Sequence, residues 1–293
     1  MPVRSRPETL HLGMRAGYVQ TRRLAGAVIG LLVLAGSPHA GAPSESDLDL
    51  RYDVYYSVLR VLRIESRWRI EQDAYDVQST MESVGLVGAL FPWSYRSEVQ
   101  GRIEGGRLAP DRFQSRSEFH GKIQQVELRY EGADPVVGKL EAFTDDVLGK
   151  GYRRDDVPPE LRTGTIDPLT EITALAHDLA HGEGCAGTRH VFDGVRRYDT
   201  VYEDLGEQTL KPSRRDAYHG PARVCRSHIR PIAGFWKSKD QRLEALTQVT
   251  AWLMPVRPGL SPVPVRLEVA GPRGDLEIHL GDVSVPQDAT PAE

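Results

Sequence analysis

The sequence predicts a mainly β protein, a long curved antiparallel sheet or open β-barrel with one packed α-helix at about residues 168–181. Three observations lead there. Apolar and polar residues alternate with a period of two over most of the chain, the pattern of strands packed on one face and wet on the other. Glycine-bearing turn signals recur at short intervals between the alternating runs. One segment replaces the period of two with helical spacing and carries signals for both of its ends.

Residues 1–42 stand apart from this pattern. Arg22 and Arg23 precede the apolar run Leu24–Ala35, and small residues follow through Ala42. That charged, apolar, small-residue order is the order of a secretory signal peptide. The run is shorter than the ~20 residues needed to span a bilayer. Cleavage is expected after Ala40 or Ala42, with a retained anchor helix as the alternative. The segment holds five arginines and one glutamate, so its removal takes the net charge from −4 to about −8. Such a balance argues against holding nucleic acid by counterion release and against tight binding to anionic membranes. No later run approaches the length of a transmembrane helix, so no span is expected after cleavage. Residues 43–285 are expected to form a single β-rich domain, with 286–293 a loose polar tail.

Strand patterning begins with Tyr52, Val54, Tyr56 and Val58. Leu62, Ile64, Ser66, Trp68 and Ile70 then share one face, while Arg63, Glu65, Arg67, Arg69 and Glu71 share the other. The arginines of that strip read as a solvated outer face. Residues 76–84 continue with Val77 and Met81 facing the same way. The stretch Gly85–Trp93 is apolar but broken by glycine and proline. It reads as a plug at the end of the sheet or as the wall of a hydrophobic pocket, and the second reading makes Leu86, Leu90, Phe91 and Trp93 the candidate ligand-binding residues. Hairpin turns are expected at Glu104–Gly106 and His120–Lys122. Residues 149–164, rich in charge and proline, read as an exposed connection.

The helix opens at Asp167-Pro168, with Asp167 as N-cap, Pro168 at the first helical position and Glu171 in the first turn. Leu169, Ile172, Leu175, Ala176 and Leu179 form its apolar stripe, and Gly182 and Gly184 end it. Alternation then returns at Tyr198–Glu203, with Gly206 marking a turn, at Val224–Ile229, at Leu243–Leu253 and at Val263–Val269. A turn at Gly271–Gly274 leads into Leu276, Ile278 and Leu280.

Few residues suggest chemistry. Cys185 and Cys225 are expected to pair as a disulfide in an oxidising compartment, with two free buried thiols as the alternative. His177 and His181, at i and i+4, could share a metal, but no third ligand is identifiable and a polar helix face is the favoured reading. Asp193-Gly194 signals a hairpin, and Arg196 and Arg197 read as partners of Asp193, Asp199 or Glu203 rather than as an anion site. There is no Gly-x-Ser-x-Gly elbow and no phosphate-binding glycine loop. No catalytic residue, metal ligand or cofactor is assigned.

The order of several short motifs adds a resemblance. Asp167-Pro-Leu-Thr170 is followed by Cys185, Val191–Tyr198, Tyr218–Cys225, Pro231–Phe235, Trp252–Val256 and Pro264–Arg266. Together they resemble domain-of-unknown-function family 3108, exported bacterial proteins, over roughly Tyr52–Val283. The resemblance implies a periplasmic, β-rich, single-domain protein and carries no established activity. The functional expectation is a non-enzymatic envelope protein that binds an apolar or amphipathic ligand such as a lipid. The alternatives are an assembly protein contacting envelope partners through sheet edges or aromatics such as Trp93 and Trp236, and a hydrolase.

Overall fold

Side chains at alternate positions of a strand point to opposite faces, so one pattern of parity along the chain decides what the sheet encloses. The computed structural model describes residues 46–141, 153–213, 215–237, 248–271 and 274–285. The expected signal segment 1–42, the expected tail 286–293 and the alternating stretch Leu243–Thr247 lie outside the described residues. The first half comprises β1 (Ser46–Tyr56), β2 (Leu59–Ile70), β3 (Ala74–Ser83), α1 (Gly85–Leu90), β4 (Trp93–Glu104), β5 (Arg107–Phe119), β6 (Lys122–Glu131), β7 (Asp134–Glu141) and β8 (Arg153–Arg154). The second comprises α2 (Pro168–Ala180), β9 (Gly187–Phe192), β10 (Arg197–Leu210), β11 (Gly220–Ala233), β12 (Trp236–Lys237), β13 (Gln248–Met254), β14 (Val263–Ala270) and β15 (Leu276–Ser284).

Thirteen of these strands form one curved antiparallel sheet, in the order β7-β6-β5-β4-β3-β2-β1-β15-β14-β13-β11-β10-β9; β8 and β12 pair separately. The last strand therefore lies beside the first, paired from Asp49 opposite Ser284 to Tyr56 opposite Leu276 with a one-residue shift after Arg51. The sheet does not close, since β7 and β9 are its two edges. A short extended segment bridges them at one place. Ile166 donates to His190 O and accepts from Phe192 N of β9, both at 2.9 Å, while Gly164 N donates to Ala133 O in the β6–β7 turn at 3.2 Å.

The inner face carries the core. One row runs across six strands through Leu48, Trp68, Val77, Val99, Phe113 and Leu128, each opposite the next and all buried. The outer face carries paired charges, such as Arg67 with Asp49 at 2.6 Å and Arg102 with Asp111 at 3.1 Å. The expected basic strip on β2 is thus an outer face, with Arg63 on Glu82 and Arg69 on Asp47 as well.

α2 packs on the inner face between the two halves of the sheet. Asp167 caps it as expected: Oδ1 accepts from Leu169 N at 3.0 Å and Thr170 N at 2.9 Å, and Oδ2 accepts from Thr170 Oγ1 at 2.6 Å. Tyr75 of β3 meets Thr170 Oγ1 at 2.9 Å, and Tyr202 of β10 donates to Glu171 Oε1 at 2.9 Å. Leu175, with Leu179 alongside, packs against Cys185, Cys225, Ala251 and Leu253. Cys185 and Cys225 form a disulfide with their Cα atoms 6.0 Å apart.

Three expectations change. Gly206 is not a turn: it lies inside β10, where a φ of +77° forms a bulge between Asp204 and Glu207 and the strand continues. The described part of 149–164 is not wholly exposed, because Val157 is buried in the core and Arg162 donates to its carbonyl. Gly85–Leu90 is not a plug: it is a short helix none of whose residues is buried. No helix among the described residues is long and apolar enough to cross a membrane.

Candidate ligand-binding site

The inner row next to the apolar one is made of serines. Ser66 of β2 stands opposite Ser79 of β3, Ser79 opposite Ser97 of β4, and Ser97 opposite Ser115 of β5. The following row is large again, with Tyr52, Ile64, Met81 and Tyr95 in register. Four small side chains in a line between two rows of large ones leave space that a close-packed interior would fill.

That space is a cavity of about 290 Å³, near the lower end of the ~300–1,000 Å³ typical of ligand pockets. Ser66, Ser79 and Ser97 form its floor. Trp68 and Phe113 bound it on one side, and Ile64, Met81 and Tyr95 on the other. Its roof is Leu169 and Ile172 of α2, facing Leu267 and Ile278 of β14 and β15. Ile172 belongs to the predicted buried stripe, yet it is exposed, because it borders this opening. The lining contains no charged side chain among the described residues.

The serines differ in their bonding. Ser66 Oγ accepts from Trp68 Nε1 at 2.8 Å and donates to Gln78 O at 2.9 Å. Ser115 bonds the Tyr95 hydroxyl, whose pKa burial nevertheless raises. Ser79 and Ser97 are only 9% and 8% exposed as residues, and what their hydroxyls lack in protein partners they find in access to the cavity, since neither oxygen is sealed from it. A hydroxyl without a protein partner is satisfied by water or by ligand. Two adjacent ones at the floor of an apolar cavity form a place for the polar group of an otherwise apolar molecule.

The sequence-predicted residues lie elsewhere. Leu86, Leu90 and Phe91 are 71%, 60% and 57% exposed at the end of the sheet, and none of them lines the cavity. Trp93 lies between the two regions. Its Nε1 donates to Ser117 Oγ at 3.1 Å, and its ring stacks on Tyr95 with centroids 6.4 Å apart. The side chain of Trp236 lies outside the described residues. The serine row went unread because it exists only in the register; the available signal was a serine at the inward parity of each of four consecutive strands.

Other candidates resolve into ordinary structure. His181 Nδ1 lies 2.8 Å from His177 O, and the two rings pack 4.1 Å apart. No group of three or more metal-ligating side chains occurs among the described residues. Arg196 pairs with Asp193 at 2.8 Å and Arg197 with Asp199 at 2.7 Å, the pairing favoured from sequence. Burial would raise the Asp199 carboxyl, but hydrogen bonds from Arg230, His190 and Arg197 hold it well below the usual range. A larger depression of about 390 Å³ is bordered by the ion pairs Asp49–Arg67 and Arg51–Asp282, whose charges already satisfy one another.

A search of curated proteins finds no match. The crystal structure of a β-barrel-like protein of domain of unknown function DUF1849 from Brucella abortus is 9% identical, with a TM-score of 0.49 over 83% of this chain and 99% of its own. The family model described as "Protein of unknown function (DUF3108)" matches residues 51–280, and the chain belongs to that family.

Proposed function

We propose that this chain is an exported periplasmic protein, a non-enzymatic carrier that holds an amphipathic ligand against the serine row. The observation that supports this reading is the pair Ser79 and Ser97, whose hydroxyls line the floor of an apolar cavity without a protein hydrogen-bond partner among the described residues. Apolar walls favour a hydrocarbon body at roughly 25 cal/mol per Å² removed from water. The two hydroxyls give that body a polar end and an orientation. Because no charged side chain lines the cavity among the described residues, an ionised headgroup there would be desolvated without a partner. The ligand class is therefore a lipid-like molecule whose buried polar group is neutral, such as a hydroxyl, ester or amide, with any charge outside.

The test uses the full chain expressed with its signal and recovered from the periplasm. Native mass spectrometry with organic extraction should show a bound amphiphile on a protein beginning at residue 41 or 43. A fluorescent acyl ester should bind the delipidated protein, and a neutral acyl alcohol should displace it better than the matching fatty-acid carboxylate. Ser79→Leu/Ser97→Leu fills the floor and should weaken probe binding at least tenfold while leaving the circular dichroism spectrum unchanged. A bare protein that binds no probe, or a filled variant that binds as well as the parent, would overturn the carrier reading.

A further inference from the structure

The mouth of the cavity has one lip on a helix and the other on two strands. Ile172 of α2 stands on one side, and the half-buried Leu267 of β14 and Ile278 of β15 stand on the other. Leu267 lies opposite Ile278, within a pairing of β14 and β15 that runs from Arg266 opposite His279 to Val269 opposite Leu276. Beyond Arg266 the two strands part. Pro264 and Val263 continue on β13, while Leu280 and Asp282 continue on β1. Since β15 is held to β1 along Asp49–Tyr56, the short β14–β15 seam is the weaker side of this lip.

The seam is fastened from outside. Neighbouring residues of a strand face opposite ways, so Arg266 and His279 turn outward where Leu267 and Ile278 turn toward the cavity. At the point where the strands part, Asp216 of the β10–β11 connection bridges them. Its Oδ1 lies 2.5 Å from His279 Nδ1, and its Oδ2 accepts from Arg266 Nη1 at 3.3 Å and from Ser213 Oγ at 2.6 Å. The side chains of Asp216 and His279 are 1% and 3% exposed. The preceding Arg215 donates to Glu277 Oε2 at 2.7 Å and to Ser57 O at 2.8 Å, and its guanidinium lies 4.5 Å from the centre of the Tyr55 ring. Glu277 also faces His279 Nε2 at 3.2 Å, and Arg266 pairs with Glu268 at 2.6 Å. The β10–β11 connection thus reaches β14, β15 and β1, none of which pairs with β10 or β11. Joining two adjacent strands requires none of these contacts, whereas clasping the seam uses all of them.

From this arrangement we infer that the β10–β11 connection is a latch on the cavity mouth. While Asp216 bridges Arg266 and His279, the β14–β15 lip is held toward α2; when the bridge opens, the lip yields and ligand passes. The inference rests on the carrier reading and names what regulates exchange at that site. The bridge lies on the outer face and touches no ligand, so it sets the barrier to passage and leaves the affinity of the closed state alone. His279 is sealed from the water that would replace a lost partner, so the bridge counts for more than a surface ion pair.

The experiment is stopped-flow exchange of a fluorescent acyl ester on the full mature chain. Asp216→Asn keeps the size of the side chain and should raise association and dissociation rates together by about tenfold, the factor that one hydrogen bond to a charged group supports. The affinity should stay at its parental value. Arg215→Ala should shift both rates in the same direction by less. Gly105→Ala strains the β4–β5 turn, at a φ of +57° with open space around the added carbon, and touches no part of the latch; it should leave both rates unchanged. Hydrogen exchange of ligand-free Asp216→Asn should accelerate at Arg266–Val269 and Leu276–His279 ahead of β2–β5. Parental rates in an Asp216→Asn protein that still binds the ester would overturn the latch alone. So would faster dissociation with unchanged association, or equal acceleration in Gly105→Ala. Should Asp216→Asn fail to fold, parental rates in Arg215→Ala overturn the latch. A parent that binds no ester overturns the carrier reading and the latch with it.

Discussion

At Asp167, three hydrogen bonds and complete burial act in opposite directions. The bonds from Leu169, Thr170 N and Thr170 Oγ1 favour the carboxylate, while desolvation, the larger effect, raises its pKa to about 6. Tyr75 and Tyr130 close the site, and their phenols are raised by burial and then by this neighbouring carboxylate. An unfolded aspartate titrates near ~3.9, so between about pH 4 and pH 6 the folded chain binds more protons than the unfolded one. Stability then falls as pH rises through that window, by on the order of 3 kcal/mol for this group. Asparagine caps a helix as well as aspartate does. Asp167→Asn should therefore flatten the decline and be at least as stable as the parent at neutral pH; urea titrations at pH 4 and 7 that keep the parental difference would refute this account. The cap itself was legible from Asp-Pro before an apolar stripe, because it depends on neighbours in sequence. Its burial was not, because Tyr75 comes from a strand 95 residues away. The serine row has the same character. Ser66 was visible on an apolar face, but its alignment with Ser79, Ser97 and Ser115 is a property of three strand pairings.

Among the elements, those with strong local periodicity were the legible ones. From Leu62 to Ile70 of β2 every residue of one parity is charged while the other parity is apolar but for Ser66, and α2 carries a cap, a proline and a stripe. α1 could not be read in the same way: Gly85-Leu-Val-Gly-Ala-Leu90 has no period, no side-chain cap and no charge. What shapes it is the connection from β3 to β4 and the hydrogen bonds of Ser83. Gly206 misled because a glycine with positive φ serves a bulge as well as a turn. The disulfide links the chain just after α2 to β11, a separation of 40 residues. In the chain-entropy model, a loop of that size is constrained by about 4 kcal/mol in the unfolded state, an upper figure. Cys185→Ala/Cys225→Ala should lose up to that amount in chemical denaturation. Hydrogen exchange should accelerate most in the C-terminal half of α2, where Leu175 and Leu179 pack on the disulfide. Equal stability with and without the disulfide would show that α2 is held by its N-terminal half alone, through Thr170 and Glu171.

Across the whole sheet, the open question is what keeps two free edges close enough to enclose a cavity. The Gly164–Ile166 segment bonds to both sides, and the β9–β10 hairpin adds a second contact that no hydrogen bond records. Gly194, at the tip of that hairpin, has a φ of +90°, and a Cβ there would overlap Val126 Cγ1 of β6. Asp193 holds the tip in place by accepting from Val195 N at 2.8 Å and Arg196 N at 2.6 Å. The hairpin tip at one end of the sheet thus abuts β6, the second strand at the other end, across from the serine row's last member, since Ser115 pairs with Val126. Gly194→Ala should destabilise through both backbone strain and this collision. Gly206→Ala provides the strain alone, because its φ is +77° and nothing lies within 4 Å of the added carbon; that change should cost about 1–2 kcal/mol. Gly194→Ala should exceed it by about 1–3 kcal/mol, the usual range for overpacking. Combining Gly194→Ala with Val126→Ala should recover most of the excess, because residues in contact do not add independently. If Gly194→Ala costs no more than Gly206→Ala, the hairpin tip is not pressed against β6, and the enclosure of the cavity rests on the Gly164–Ile166 segment and α2.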